Sequence, residues 1–226
     1  MVTHNNPCPD CGKDTLSIYD NGTYCHHPDC HTLTKEDSNL NMFGDNNVIM
    51  PVDNTLTTVV SYPKAQGIIN RGLDADVCNK YGVRVEVDPV NGMPTRYYYP
   101  YYKDGALVAY KVRGAEEKLF YAVGSMGADV QLFGQGMAGE GGKMVIVTEG
   151  ENDALAASQM LNAVGKNYRV VSLPNGANVA SIRANLEWLE SFETIVLNFD
   201  NDDAGKAALD KACELFSPGK VKLLVL

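Results

Sequence analysis

Five carboxylates in two short stretches carry the clearest chemistry in this 226-residue sequence. Glu149, Glu151 and Asp153 alternate with other residues in VTEGENDAL (147–155), and Asp200 and Asp202 do the same in LNFDNDDAG (197–205). Carboxylates packed this closely repel one another and are best explained by a divalent cation that neutralises them. Hard oxygen ligands suit Mg2+ or Mn2+, with waters and substrate phosphates completing the coordination. Solvated loop carboxylates would account for one such cluster. Two clusters, each closing an apolar strand and each close to a glycine, point to a metal site.

A second set of metal-ligating residues lies at the other end of the chain. Four of the six cysteines, Cys8, Cys11, Cys25 and Cys30, fall in the first 30 residues. Disulfides would need an oxidising compartment, and no secretory segment is visible: the N-terminus is polar from Thr3 onward. Zinc fits better. Cys8-Pro-Asp-Cys11 has the spacing of a zinc knuckle, and Thr15 to Tyr24 reads as two short strands around an Asp20-Asn21-Gly22 turn that would deliver the second ligand pair. That pair lies in Cys25-His26-His27-Pro28-Asp29-Cys30-His31, so either four thiolates bind the metal or His27 or His31 replaces one of them. Cys78 and Cys213 sit among apolar neighbours in helical patterns and read as core residues.

Both sets of ligands need a scaffold. Residues 1–34 are the expected zinc ribbon and 35–58, rich in Asn and Asp, a linker. Residues 59–226 then form the main domain, whose part from about 143 onward has a character of its own. Asn70 to Tyr81 predicts a short helix with Asp74 as its N-cap and Gly82 beyond its end. Val83 to Val123 alternates like an antiparallel meander, with turns at Asn91-Gly92 and Asp104-Gly105. The run Tyr97 to Tyr102 within it reads as strand residues filling one face and a wet edge, in preference to a platform for stacking bases. From Lys143 the pattern becomes βαβα. Strands at 144–147, 169–173, 194–199 and 221–226 alternate with helices reaching about Leu161, spanning 178–192 and reaching about Phe216. The fold class is therefore α/β in its core and α+β overall, a parallel sheet preceded by antiparallel strands. Both acidic clusters follow strands of that sheet, at the edge where such sheets hold their ligands.

Composition narrows the function. No apolar run reaches the roughly 18 residues a membrane span needs. The net charge of −9 argues against tight nonspecific nucleic-acid binding. The charge is uneven, however: residues 60–125 hold 9 basic and 7 acidic side chains, and residues 126–226 hold 8 and 13. Weak, metal-dependent contact with nucleic acid is the expectation.

VTEGENDAL and LNFDNDDAG resemble the two motifs of the TOPRIM fold. In the order of its parts the whole chain is similar to the primase half of T-odd-phage primase–helicases. RGLDADVCNKYGV (71–83) resembles the helix before the polymerase domain and AYKVRGAEEKLFYAVG (109–124) the basic strand. LFGQG (132–136) resembles the segment before the first TOPRIM strand and VVSLPNGA (170–177) the second strand. The resemblance implies template-directed synthesis of short RNA primers from NTPs on single-stranded DNA, with structural Zn2+ and catalytic Mg2+ or Mn2+. It implies that Glu149 is the catalytic glutamate and that Asp200 and Asp202 bind the metals, with Glu151 and Asp153 supporting them. Lys111, Arg113 and Lys118 would hold the triphosphate or the template, their bland alternative being an exposed basic strand face. A replicative helicase and a DNA polymerase are the implied partners, in the cytoplasm of an infected bacterium.

The chain departs from its relatives in two ways. Its second zinc pair is C-x4-C where C-x2-C is usual, and Gly22 and Thr23 stand where some relatives place a histidine. The template triplet is therefore left open. A phosphate-binding loop is missing, because Gly139-Glu140-Gly141-Gly142-Lys143-Met144 lacks the spacing and the Ser/Thr, and the chain stops directly after a strand, as a piece of a longer protein would. The rival readings explain less. A non-catalytic recombination mediator joining zinc and TOPRIM would need a helical segment before Cys8. A TOPRIM nuclease leaves the ribbon without a role, and a phosphatase using Asp200 as nucleophile leaves Glu149 without one.

Overall fold

The computed structural model describes residues 3–8, 13–14, 16–19, 22–25, 33–35, 55–127, 129–137, 139–176 and 178–224. The chain divides into two units, Met1–Asp53 and Asn54–Leu226. The first holds four short strands, β1 (Thr3–Asn6), β2 (Leu16–Tyr19), β3 (Gly22–Cys25) and β4 (Leu33–Lys35), paired antiparallel in chain order. The expected hairpin is β2 with β3, in a register that sets Tyr19 opposite Gly22 and Leu16 opposite Cys25. Cys8 is buried, and its N–H donates to the carbonyl of Lys13 at 2.9 Å. The other expected zinc ligands Cys11 and Cys30, with the alternatives His27 and His31, lie outside the described residues.

The second unit opens with α1 (Leu56–Ser61), a helix at the end of the segment read as linker. A 3-10 turn at Ile69–Arg71 precedes α2 (Ala75–Lys80). The helix expected from Asn70 is thus shorter, because the chain passes through a left-handed Gly72 (φ 65°) before it starts. Asp74 caps it as expected, accepting from Val77 N–H at 2.9 Å. Such a cap contributes about 1 kcal/mol. The meander follows as β5 (Arg84–Val87), β6 (Pro94–Lys103), β7 (Ala106–Gly114) and β8 (Phe120–Gly124).

Its tyrosines correct one expectation. Tyr97, Tyr99 and Tyr101 pack on one face with Phe133, but Tyr98 is equally buried on the other face, with Tyr110, Val112 and Val123. Val59 of α1 covers that second face. The sheet is therefore sandwiched, and of this run Tyr102 is the residue left exposed. Each of these rings removes a large apolar area from water, worth roughly 2 to 3 kcal/mol apiece.

The βαβα part contains β9 (Gly142–Thr148), α3 (Glu151–Ala163), β10 (Arg169–Ser172), α4 (Val179–Ala184), α5 (Leu186–Glu190), β11 (Phe192–Asn198), α6 (Asp203–Cys213) and β12 (Val221–Leu223). The strands are parallel in the order β10-β9-β11-β12. The single helix expected over 178–192 is two. Asn185 ends α4 and starts α5, its buried amide donating to the carbonyls of Val130 and Ser181 at 3.0 Å each. One face of the sheet packs with α3, α2 and the meander, the other with α4, α5 and α6. Cys78 is fully buried and Cys213 half-buried, both in the core as expected. Among the described residues no helix is long and apolar enough to cross a membrane.

Candidate active site

The strand order brings the two acidic stretches together. β9 and β11 are direct neighbours, with Thr148 opposite Asn198 at their carboxyl ends. The chain crosses from β10 back over β9 to reach β11, so a crevice opens between those two ends, where parallel sheets bind ligands. Glu149 leaves β9 and Asp200 leaves the end of β11. The Asp200 N–H donates to Glu149 Oε2 at 3.2 Å. Thr148, fully buried, steadies the turn: its hydroxyl lies 3.1 Å from the carbonyl of Gly150 and 3.3 Å from that of Val171.

Both clusters also begin helices. Gly150 is the N-cap of α3, and the Asp153 carboxylate accepts from the Gly150 N–H, three positions back, in the manner of a capping box. Asp202 caps α6, accepting from Gly205 N–H at 2.7 Å. Two helices of 13 and 11 residues thus aim their positive ends at the crevice. Crowding remains. Asp153 holds its proton above the ordinary carboxylate range, through loss of hydration first and the charge of Asp200 next, with Arg113 opposing. The residue as a whole is solvent-facing, yet its oxygens lie against the Gly150 backbone, which accounts for the lost hydration.

Gly205 is required here by space. A Cβ on it would lie 2.1 Å from the Asp200 carbonyl oxygen. The first turn of α6 therefore presses directly on the backbone that carries Asp200.

The alternate spacing of Glu151 and Asp153 would aim both to one side of an extended strand end. They stand instead on the first turn of α3, and two positions apart on a helix they diverge. Asp153 stays beside Asp200. Glu151 turns inward, 8% exposed, and accepts from the Tyr101 hydroxyl at 2.5 Å and the Lys111 ammonium at 2.8 Å. Lys111 also donates to the carbonyl of Pro174 at 3.0 Å. Tyr99, on the same face of β6 as Tyr101, donates to Asn152 Oδ1 at 2.7 Å. Burial, then the nearby Glu151 charge, pushes both phenols far above their ordinary range, so they remain donors. These tyrosine contacts were missed in the sequence, where the run carried a packing signal only.

Arg113 and Lys118 line a cleft of about 380 Å3 beside the start of α3, with Arg71, Tyr99, Asn152 and Phe120 among its other walls. Arg113 lies over the Phe120 ring, 5.1 Å from its centre. Lys118 is exposed. Of the three basic residues expected to meet substrate, two border this cleft and Lys111 faces Glu151. Among the described residues no three His, Cys, Asp or Glu side chains converge closely enough to enclose a cation by themselves. Glu149, Asp200 and Asp202 nevertheless offer oxygen donors alone, from two adjacent strand ends, which fits a hard divalent cation whose remaining ligands are waters and phosphates.

Comparisons with known proteins bear on the family and the fold. Residues 146–226 match the Toprim-like family. The chain is 39% identical over 161 residues to the DNA helicase/primase of Enterobacteria phage T3, covering 69% of this chain and 26% of that protein. It therefore spans about a quarter of that relative's length. The crystal structure of the primase fragment of the bacteriophage T7 primase–helicase superposes over 100% of this chain and 91% of its own, with a TM-score of 0.65 and 29% identity. A chain of the T7 lagging-strand DNA polymerase complex with two primase domains bound to an RNA/DNA hybrid and dTTP gives 0.61 and 35%, covering 71% of this chain and 79% of its own. The DnaG catalytic core, at 18% identity, a TM-score of 0.53 and coverage of 75% and 67%, shares the fold.

Proposed function

We infer that this chain, which belongs to the primase part of the T-odd-phage primase–helicase family, makes short RNA primers on single-stranded DNA from nucleoside triphosphates. The observation that carries the reading is the junction of Glu149 with Asp200 at two adjacent strand ends, beside a cleft walled by Arg113 and Lys118. Glu149, Asp200 and Asp202 would hold Mg2+ or Mn2+, with Asp153 and Glu151 supporting from the first turn of α3. The bound cations supply charge neutralisation at the reacting phosphate and a lowered pKa for the attacking 3′-hydroxyl.

The chain's own residues have three tasks. Glu149, as a carboxylate facing that hydroxyl, accepts its proton as the 3′-oxygen attacks the α-phosphate and pyrophosphate leaves. Arg113 orients the triphosphate or template through a fork of donors, and Lys118 adds a mobile charge at the cleft mouth. The N-terminal unit, a ribbon over residues 1–34 joined by a linker to a polymerase domain that opens with α1, would bind zinc through Cys8, Cys11, Cys25 and Cys30 and read the template. Strands of three or four residues bury little, so a structural metal suits a unit of this size. A helicase acting on the same strand and a DNA polymerase that takes over the primer are the proposed partners.

The test is primer synthesis with single-stranded DNA, labelled NTPs and Mg2+ or Mn2+. Oligoribonucleotides dependent on template and metal are expected. A folded, zinc-loaded protein that makes none on a library of templates would overturn the reading.

A further inference from the structure

We propose that Tyr101, Lys111 and Glu151 form a buried positioning unit that sets Glu149 against Asp200, and that Lys111 acts through this unit and not on the nucleotide. The proposal rests on the reading of Glu149 and Asp200 as the reacting centre.

Glu151 is the first residue of α3 and stands two positions after Glu149. Its side chain is 10% exposed, and a carboxylate that deep persists only with partners that offset its lost hydration. It has two, the Tyr101 hydroxyl at 2.5 Å and the Lys111 ammonium at 2.8 Å. Lys111 has three donors. One is used on Glu151 and one on Pro174 O at 3.0 Å, and the side chain is only 23% exposed. A lysine that seizes a phosphate as a point charge needs a free head. This one is already engaged between two elements.

The unit reaches Glu149 from two sides. Tyr99 and Tyr101, two apart on β6, grip Asn152 and Glu151, consecutive on the first turn of α3. Lys111, paired across the ladder with Tyr99, holds the carbonyl of Pro174. Two residues on, Gly176 comes so near Glu149 that a Cβ there would lie 3.6 Å from Oε1. The other oxygen, Oε2, is held by Asp200 N–H. The meander thus fixes the turn that carries Glu149 and also the loop that bounds it. Loss of one partner would leave a charge buried and unpaired, and the first turn of α3 would shift to find water.

Tyr101→Phe keeps the ring and removes the one hydroxyl. The expected result is a kcat for primer synthesis lowered roughly tenfold to a hundredfold, the cost of a displacement on the ångström scale, with the KM for NTP unchanged within about twofold. Mn2+ binding without nucleotide, followed by the paramagnetic resonance of the free ion, weakens several-fold. Lys111→Met and Glu151→Gln are expected to be coupled, so that the double variant loses no more kcat than Lys111→Met alone. Wild-type kcat and Mn2+ binding in Tyr101→Phe would overturn the proposal. So would a Lys111→Met variant whose NTP KM rises tenfold and whose effect multiplies with that of Glu151→Gln. If the wild-type chain makes no primer, the primase reading fails by itself. The Mn2+ titration of Tyr101→Phe then still decides the positioning unit, weaker binding supporting it and unchanged binding overturning it.

Discussion

The backbone N–H of Asp200 donates to the carboxylate of Glu149 at 3.2 Å, joining two residues 51 positions apart. The contact places one carboxylate under the control of the other's main chain. A shift in the turn after β11 therefore moves both groups of the proposed metal site together.

Substitution of either residue is expected to stop catalysis without unfolding the protein. Glu149→Gln should lower primer synthesis about 10²- to 10⁴-fold, the range for loss of a positioned acid or base. Asp200→Asn should do at least as much. Thermal unfolding in the absence of divalent cations should stay within a few degrees of wild type, since Asp200 is exposed and Glu149 only half-buried. A full loss of the folding transition would count against a local role.

Binding of a cation at the crevice should appear as stability. At Mn2+ one hundred times above its Kd the folded state gains about 2.7 kcal/mol, roughly 5 to 10 °C in midpoint for a domain of this size. Asp200→Asn should remove most of that gain. Scanning calorimetry with and without Mn2+ checks it, on protein whose zinc content is held constant.

Gly205 offers a test of the packing beneath Asp200. Gly205→Ala drives a methyl to 2.1 Å from the Asp200 carbonyl, so the loop must move. A cost of about 1 to 3 kcal/mol is expected for such overcrowding, together with weaker Mn2+ binding. Urea unfolding and the cation titration report the two effects separately.

Arg113 and Lys118 should act through charge. Each, changed to Ala, is expected to weaken binding of single-stranded DNA or NTP and to reduce the slope of log affinity against log salt by about 0.7 to 1. Fluorescence anisotropy over a salt series measures it. A slope equal to wild type would remove that residue from the binding surface.

Cys78 sets an alkaline limit. Burial, and then the charge of Asp74, pushes its thiol up to about 11. An acid group whose folded pKa is raised contributes stability that is complete below its unfolded value, near 8.5, and lost as pH rises through the folded value. Stability should fall from about pH 9 to pH 11, by on the order of 2 to 3 kcal/mol from this group. Buried Tyr98, Tyr99 and Tyr101 add to the fall above pH 10. Cys78→Ala should show a shallower decline across that window in urea titrations.

The sheet strands were legible because their signal is local. β9, β10 and β11 are runs of Val, Ile and Leu that end in turn residues, and the acidic clusters follow them directly. The helix α1 was not legible: six residues with two threonines and two valines carry no periodicity, and they are held by packing against the far side of the meander. The break at Asn185 was hidden for a related reason, since the amide that stabilises it reaches Val130, 55 residues away. The same limit applies at the site. Glu151 and Asp153 look equivalent in the sequence, and they separate only when Tyr101, 50 residues earlier in the chain, draws one of them inward.

The order β10-β9-β11-β12 places the earliest of these strands in the interior of the sheet, flanked by later ones on both sides. During synthesis β9 must wait with an open edge until β11, some fifty residues downstream, arrives to pair with it. Until then Glu149 lacks its contact with Asp200, and the proposed cation site is incomplete. Cation affinity is therefore a reporter of kinetics: in a refolding experiment Mn2+ capture should lag behind helix formation and coincide with closure of this long-range pairing, the slow step that topology imposes.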